Sequence, residues 1–241
     1  MRRRDWHNLT RMADIKISAP AGVIDGVLEL PSADGKRPGV VVVHDALGLG
    51  TDVRNITRRI ANAGFLAITP DLYSRGGRAR CIQRVMRDVI AGKGDSFDDI
   101  LAARDQLIAR PDCTGKVGVV GFCLGGGFAL VLSPKGFAAS APFYPSILPF
   151  YDKMVDGACP IVASFGSRDP INIGSGEKLR KVLERKGIEH DIRTYDGVGH
   201  SFANEMPLQP VVRIVGFGYN EAATNDAFGR VFEFFGKHLG R

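Results

Sequence analysis

Cys123, Asp169 and His200 have the residue types, the order and the local settings of a nucleophile, an acid and a base. Cys123 stands in Val117-Gly-Val-Val-Gly-Phe-Cys-Leu-Gly-Gly-Gly127. A buried-strand pattern runs into Gly121-Phe-Cys123-Leu-Gly125, and a helix pattern follows. This is the strand–turn–helix setting of a nucleophile elbow, G-x-S-x-G, with cysteine in the serine position. The turn is strained and tight, so only glycine fits two residues to either side. It lifts the thiol at the carboxyl end of a strand, where α/β sheets bind ligands. The helix that follows aims its positive end at the sulfur and favours thiolate. A structural cysteine in a tight turn would carry the same local pattern, so the motif needs partners to mean catalysis.

A nucleophile of this kind needs a base, and the base needs an orienting acid. Gly166-Ser-Arg-Asp169-Pro170 directly follows the apolar run Ile161–Phe165, which places Asp169 at a strand's carboxyl end. Gly197-Val-Gly-His200-Ser-Phe202 follows the next strand pattern, which ends at Tyr195. Three loops after three strands therefore offer cysteine, aspartate and histidine in turn. Asp196 competes with Asp169, but it lies four residues from His200 on the same loop, a poor position for reaching the far side of the ring. His7 and His190 have no comparable context, and His238 falls in the last helix pattern.

The elements that must position these loops alternate. Val40–His44, Phe65–Thr69, Val117–Gly121, Ala138–Tyr144, Ile161–Phe165 and His190–Tyr195 read as strands. Helix patterns occupy 52–63, 81–91, 97–109, 124–132, 177–186 and 221–238. Alternation of this kind predicts an α/β fold with a mostly parallel central sheet and helices on both faces. No linker or repeat divides the chain. The expected organisation is a basic N-terminal arm over residues 1–16 and one domain over 17–241.

With these residues in place, the chain resembles the dienelactone hydrolase family of α/β-hydrolases. The matching segments are Gly121-Phe-Cys-Leu-Gly-Gly126, Gly166-Ser-Arg-Asp169, Gly199-His-Ser-Phe202 and Pro70-Asp-Leu-Tyr73. The resemblance runs from about Ile15 to the final helix. Its nucleophile–acid–histidine order is the one already found in the loops. It implies a Cys123–Asp169–His200 triad and hydrolysis of small esters or enol-lactones through an acyl-enzyme, with no metal and no organic cofactor. It also implies an oxyanion hole built from the backbone N–H groups of Leu124 and Ala46. Two positions depart from the family pattern. Asp45 stands where the family has a thiol-activating glutamate. Asn204 stands where it has a carboxylate-binding arginine, and an amide cannot ion-pair with a carboxylate. A second family arginine falls among Arg78, Arg80 and Arg84, which with Asn204 are the substrate-binding candidates.

Composition bounds the rest. Of 241 residues, 44% are hydrophobic and 24% charged, enough apolar material for a buried core. No apolar run approaches the ~20 residues of a membrane span, and the basic start lacks a signal-like apolar segment. The four cysteines are widely spaced, without metal-ligand spacing, so a reduced cytoplasmic setting is expected. The net charge of +6 is uneven: residues 54–93 carry +7 and residues 1–16 carry +3. That concentration argues against a nucleic-acid partner. It marks either the solvated faces of helices or a site where some of Arg75, Arg78, Arg80 and Arg84 attract a small anionic ester or lactone. The expected state is a monomer or small homo-oligomer. The rival readings are a thioesterase or general carboxylesterase, and a non-catalytic ligand-binding or redox-sensing module on the same fold.

Overall fold

The computed structural model describes residues 12–32, 35–145, 151–205 and 216–240. Eight strands form one sheet: β1 (Met12–Ala19), β2 (Gly22–Glu29), β3 (Arg37–Val43), β4 (Leu66–Pro70), β5 (Cys113–Phe122), β6 (Ala139–Phe143), β7 (Ile161–Gly166) and β8 (His190–Tyr195). Their order is β1-β2-β4-β3-β5-β6-β7-β8. β1 pairs antiparallel with β2 and β2 antiparallel with β4, whereas β3 to β8 are parallel. The helices are α1 (Thr51–Asn62), α2 (Arg78–Ala91), α3 (Asp95–Ile108), α4 (Leu124–Leu132), α5 (Tyr151–Met154), α6 (Ser175–Arg185) and α7 (Glu221–Leu239). The expected α/β-hydrolase architecture is the one observed, and predicted elements agree with observed ones to within a few residues.

The two N-terminal strands are the addition. β1 begins at Met12, so Met12–Lys16, read from sequence as arm, are paired strand. Residues 1–11 lie outside the described residues. β1 is an edge strand on which Ile17 alone is buried, so it lacks the continuous apolar run by which the central strands announce themselves.

The central strands are apolar along their length because both faces are covered. Val40 and Val42 point to one side and pack with α1 and α7 through Ile56, Ile60, Val231 and Phe235. Val41 and Val43 point to the other and pack with α2, α3 and α4 through Val85, Phe97, Ile100 and Phe128. Alternation at period two delivers one valine in two to each layer. Each such side chain contributes roughly 1.5–3 kcal/mol by burial. α4 is buried along its whole length, so its entry point is held rigidly by the core.

Candidate active site

The site is assembled where parallel strands end. β5 runs directly into Cys123, which has φ 52° and ψ −112°, a left-handed value rare for a side chain with Cβ. Two glycines permit the turn. A Cβ on Gly121 would stand 2.0 Å from the Gly125 carbonyl oxygen, and one on Gly125 would stand 2.2 Å from the Val43 carbonyl oxygen. The elbow is thus pressed against the end of β3 as well as its own helix. Hydrogen bonds fix it: Cys123 N–H donates to the Phe143 carbonyl at 3.1 Å, and Gly127 N–H donates to the Cys123 carbonyl at 3.0 Å. Cys123 is partly exposed, whereas His200 and Asp169 are buried.

Asp169 follows β7 and His200 follows β8, and their loops bring them together. His200 Nδ1 donates to Asp169 Oδ2 at 2.7 Å. The remaining valences of Asp169 are filled by donors: Ile171 N–H at 2.8 Å and Asn172 N–H at 3.2 Å on Oδ1, and the Asn172 amide at 2.9 Å on Oδ2. Burial works against charge on Asp169, but these donors and His200 outweigh it and hold its carboxyl below the usual range. Burial likewise opposes the imidazolium of His200. Asp169 and Cys123 on its two sides overcome that and raise the imidazole to about 9. Asp196 instead accepts from Ser167 Oγ at 3.1 Å and stays exposed, away from the histidine.

The loop after β3 holds Asp45 and Ala46. Asp45 Oδ1 accepts from Leu47 N–H at 2.8 Å, and its carboxyl is raised, chiefly by burial, while His44 and His200 pull it back. His44 ties this loop to the one after β4: its Nδ1 donates to the Asp45 carbonyl at 2.7 Å, and its Nε2 accepts from Leu72 N–H at 3.2 Å. That pair of bonds requires the neutral ring, and burial depresses its basicity accordingly. Tyr73 donates its hydroxyl to the Ala46 carbonyl at 3.3 Å and lies 4.9 Å from the His44 ring. Among the described residues, neither Ala46 N–H nor Leu124 N–H is spent on a hydrogen bond.

The substrate-binding candidates divide. Arg84 donates to the Leu72 carbonyl at 2.9 Å and lies 3.7 Å from Asp95. Arg75 grips the buried Asp99 with two bonds of 2.9 and 2.7 Å. Arg78 and Arg80 are exposed at the start of α2. Asn204 is buried, accepting from the Tyr144 hydroxyl and donating to Asp52 Oδ2 at 2.6 Å.

Three contributors carried no sequence signal. Tyr144 lies behind the site with its ring 5.0 Å from that of His200, in an edge-on arrangement. Its carbonyl accepts from Asn172, the residue that also holds Asp169. Asp52, at the start of α1, accepts from Asn204 and from Glu205 N–H at 2.9 Å, and so anchors the segment that follows His200. The positive φ of Tyr144, 33°, is a feature no residue type announces. Among the described residues no group of histidine, cysteine and carboxylate side chains is placed to hold a metal ion, and no helix is long and apolar enough to cross a membrane.

Known proteins match this sequence and this fold. The model of the dienelactone hydrolase family matches residues 24–239. A carboxymethylenebutenolidase of Rhodococcus opacus is 28% identical over 232 residues, covering 88% of this chain and 86% of that protein. A dienelactone hydrolase-like promiscuous phosphotriesterase from metagenomic libraries superposes with a TM-score of 0.82 at 23% identity, over 96% of this chain and all of that one. A dienelactone hydrolase from Anabaena variabilis superposes with a TM-score of 0.73 at 17% identity, again over 96% and 100%. A family match across nine-tenths of the sequence, on this fold, identifies the chain as a member of the dienelactone hydrolase family, hydrolases of carboxylic esters and lactones.

Proposed function

We propose that the protein hydrolyses small esters or enol-lactones through an acyl-enzyme on Cys123. The observation that carries this reading is the His200–Asp169 pair at 2.7 Å, whose imidazole also interacts with a cysteine held on a strained, partly exposed turn. In the first step Cys123 gives its thiol proton to His200 Nε2 and the sulfur attacks the acyl carbon. A C–S bond forms, and the carbonyl electron pair moves onto oxygen. That oxygen fits between Leu124 N–H and Ala46 N–H, whose hydrogens are uncommitted. When the tetrahedral adduct collapses, the C–O bond breaks, and the proton held by His200 goes to the leaving alkoxide or enolate. Neutral His200 then takes a proton from water, the hydroxyl adds to the thioester, and the thiol leaves.

Asp169 keeps the His200 hydrogen on Nδ1, which directs Nε2 to the chemistry. Asp45 is the candidate carboxylate for activating the thiol, from a buried position one residue before Ala46. A thiolate leaves readily and suits activated esters and strained lactones, whereas an amide would demand strong protonation of its nitrogen.

The test is hydrolysis of p-nitrophenyl acetate with Cys123→Ala beside the native protein, together with mass spectrometry of the quenched reaction. Loss of turnover with a retained fold, and an acetyl adduct on Cys123 in the native enzyme, are expected. Native-like turnover in the variant refutes the reading. Selective alkylation provides a second readout. Cys123 should react before Cys81 and Cys113, which are buried, and before Cys159, whose thiol burial pushes up to about 12.

A further inference from the structure

We propose that this site selects uncharged esters and lactones over those carrying a second, ionised carboxylate. The inference rests on the ester-hydrolase reading above and concerns the charge of its substrate.

The first argument is where the cations go. Arg75 is committed elsewhere, with two bonds to Asp99 and a third, at 3.2 Å, to the Gly22 carbonyl. Asp99 has no exposed side-chain surface, so releasing Arg75 to a substrate would strand a buried charge. Arg84 is bound to the Leu72 carbonyl and lies within 4.0 Å of Asp95 and Asp99. Asn204 is neutral, and its oxygen and one amide hydrogen are already committed to Tyr144 and Asp52. Arg78 and Arg80 are exposed at the start of α2, where water screens them, although the field of Arg78 reaches the Tyr73 hydroxyl.

The second argument is which charges remain inside. Ala46 N–H belongs to the peptide that joins it to Asp45, so an acyl oxygen held there sits beside that residue. The Asp45 carboxylate is nearly buried and held inward by Leu47 N–H. Asp52 lies behind Asn204. The fields of both carboxylates reach Tyr144, as does that of Cys123, and that of Asp45 reaches Asp52. A substrate carboxylate entering this space adds like charge beside Asp45 and Asp52, and the cation that faces them, the His200 imidazolium, is already held by Asp169 and Cys123. A neutral acyl chain meets no such opposition.

The experiment compares p-nitrophenyl hexanoate with mono-p-nitrophenyl adipate, in which a carboxylate replaces the terminal methyl. kcat/KM is measured at pH 7.5 and low salt in the native protein, Asp45→Asn, Asp52→Asn and Arg78→Gln. The native enzyme should favour hexanoate at least tenfold, about 1.4 kcal/mol. That ratio should fall at least threefold in Asp45→Asn or Asp52→Asn, whatever happens to the absolute rates, and should not fall in Arg78→Gln. Equal or better turnover of the adipate overturns the inference alone. So does a ratio unmoved by both aspartate substitutions. Turnover of neither ester overturns the hydrolase reading, and this one with it.

Discussion

Replacing Asp169 by asparagine should disable the base while changing only one atom's chemistry. In the native protein four hydrogen bonds converge on this carboxylate, and in all four the partner is the donor. Oδ1 accepts from Ile171 N–H and Asn172 N–H, and Oδ2 accepts from His200 Nδ1 and the Asn172 amide. An asparagine can keep its oxygen on only one side. If it keeps the two backbone donors, its NH2 faces His200 and the Asn172 amide. His200 can adapt only by moving its hydrogen to Nε2, which makes Nδ1 an acceptor. Nε2 then carries a hydrogen where it must receive one. If the oxygen instead faces His200, two buried backbone N–H groups meet an NH2, and the loop must open. Either outcome costs roughly 1–3 kcal/mol of stability for the unsatisfied groups.

The kinetic loss from the wrong tautomer is larger, on the order of 10³–10⁴-fold in kcat/KM. The upper figure is the one known for this exchange in a serine triad. It corresponds to about 4–5.5 kcal/mol of transition-state stabilisation. Removing the carboxylate also removes the charged hydrogen-bond acceptor that helps raise His200 toward 9, so the imidazole should titrate lower. The assay is p-nitrophenyl acetate hydrolysis from pH 5 to 10, with circular dichroism and thermal melting as controls for the fold. A folded Asp169→Asn variant within tenfold of native activity, with an unmoved pH profile, would refute the assignment of Asp169 as orienter.

The same carboxylate should also make stability depend on acid. Its folded value is depressed, so its contribution is present above the unfolded value of about 3.9 and lost as pH falls through the lower folded one; the stability gap between native protein and Asp169→Asn should therefore narrow in melts taken from pH 5 down to pH 3. Gly121→Ala places a Cβ 2.0 Å from backbone oxygen that cannot swing aside, and should destabilise by at least about 3 kcal/mol in urea denaturation, the upper range of overpacking. Arg75→Ala should lower stability by about 3–5 kcal/mol because it strips a buried carboxylate of its bidentate partner, whereas Arg78→Gln, at an exposed position without an ion pair among the described residues, should stay within about 0.5 kcal/mol in the same denaturation assay.

The loops of Cys123 and Asp169 were legible because β5 and β7 end in runs buried on both faces, which read as unbroken apolar segments with the chemistry-bearing residue just beyond. The loop of His200 follows β8, a mostly exposed strand, and is legible from its place after the next strand pattern and from the order of the three residues. What could not be read is what joins distant segments through ordinary side chains. Asp52 and Asn204 meet across 152 positions, and neither residue type nor spacing marks them as partners. Tyr144 looks like one more aromatic at the end of an apolar strand until its hydroxyl is seen on Asn204 and its ring against His200. The partners of the arginine stretch were hidden for the same reason. Its excess charge counts only neighbours in sequence, while its partners lie far off: Arg54 on Asp14, Arg75 on Asp99, and Arg59 over the ring of Phe228.

These long-range bonds also explain where the fold stores strain. Among the described residues three side chains with Cβ adopt positive φ: Cys123 at 52°, Tyr144 at 33° and Ser201 at 58°. One is the proposed nucleophile, one packs against the proposed base, His200, and one directly follows it. Each such conformation is unfavourable by on the order of 1–3 kcal/mol and persists only where neighbours over-determine it. Here the neighbours are visible. Tyr144 is held by its N–H on the Ser164 carbonyl at 2.7 Å and by Asn172 on its own carbonyl. Ser201 is held between His200 N–H on the Gly216 carbonyl at 2.7 Å and Asn204 N–H on its carbonyl at 3.0 Å. Cys123 and Tyr144 therefore sit at the ends of a rigid parallel sheet, each clamped from a neighbouring strand, whereas Ser201 is held by loop backbone. A clamp of this kind keeps sulfur, imidazole and carboxylate aligned without substrate. Weakening it should loosen the geometry of the reacting atoms before it unfolds the sheet that carries them.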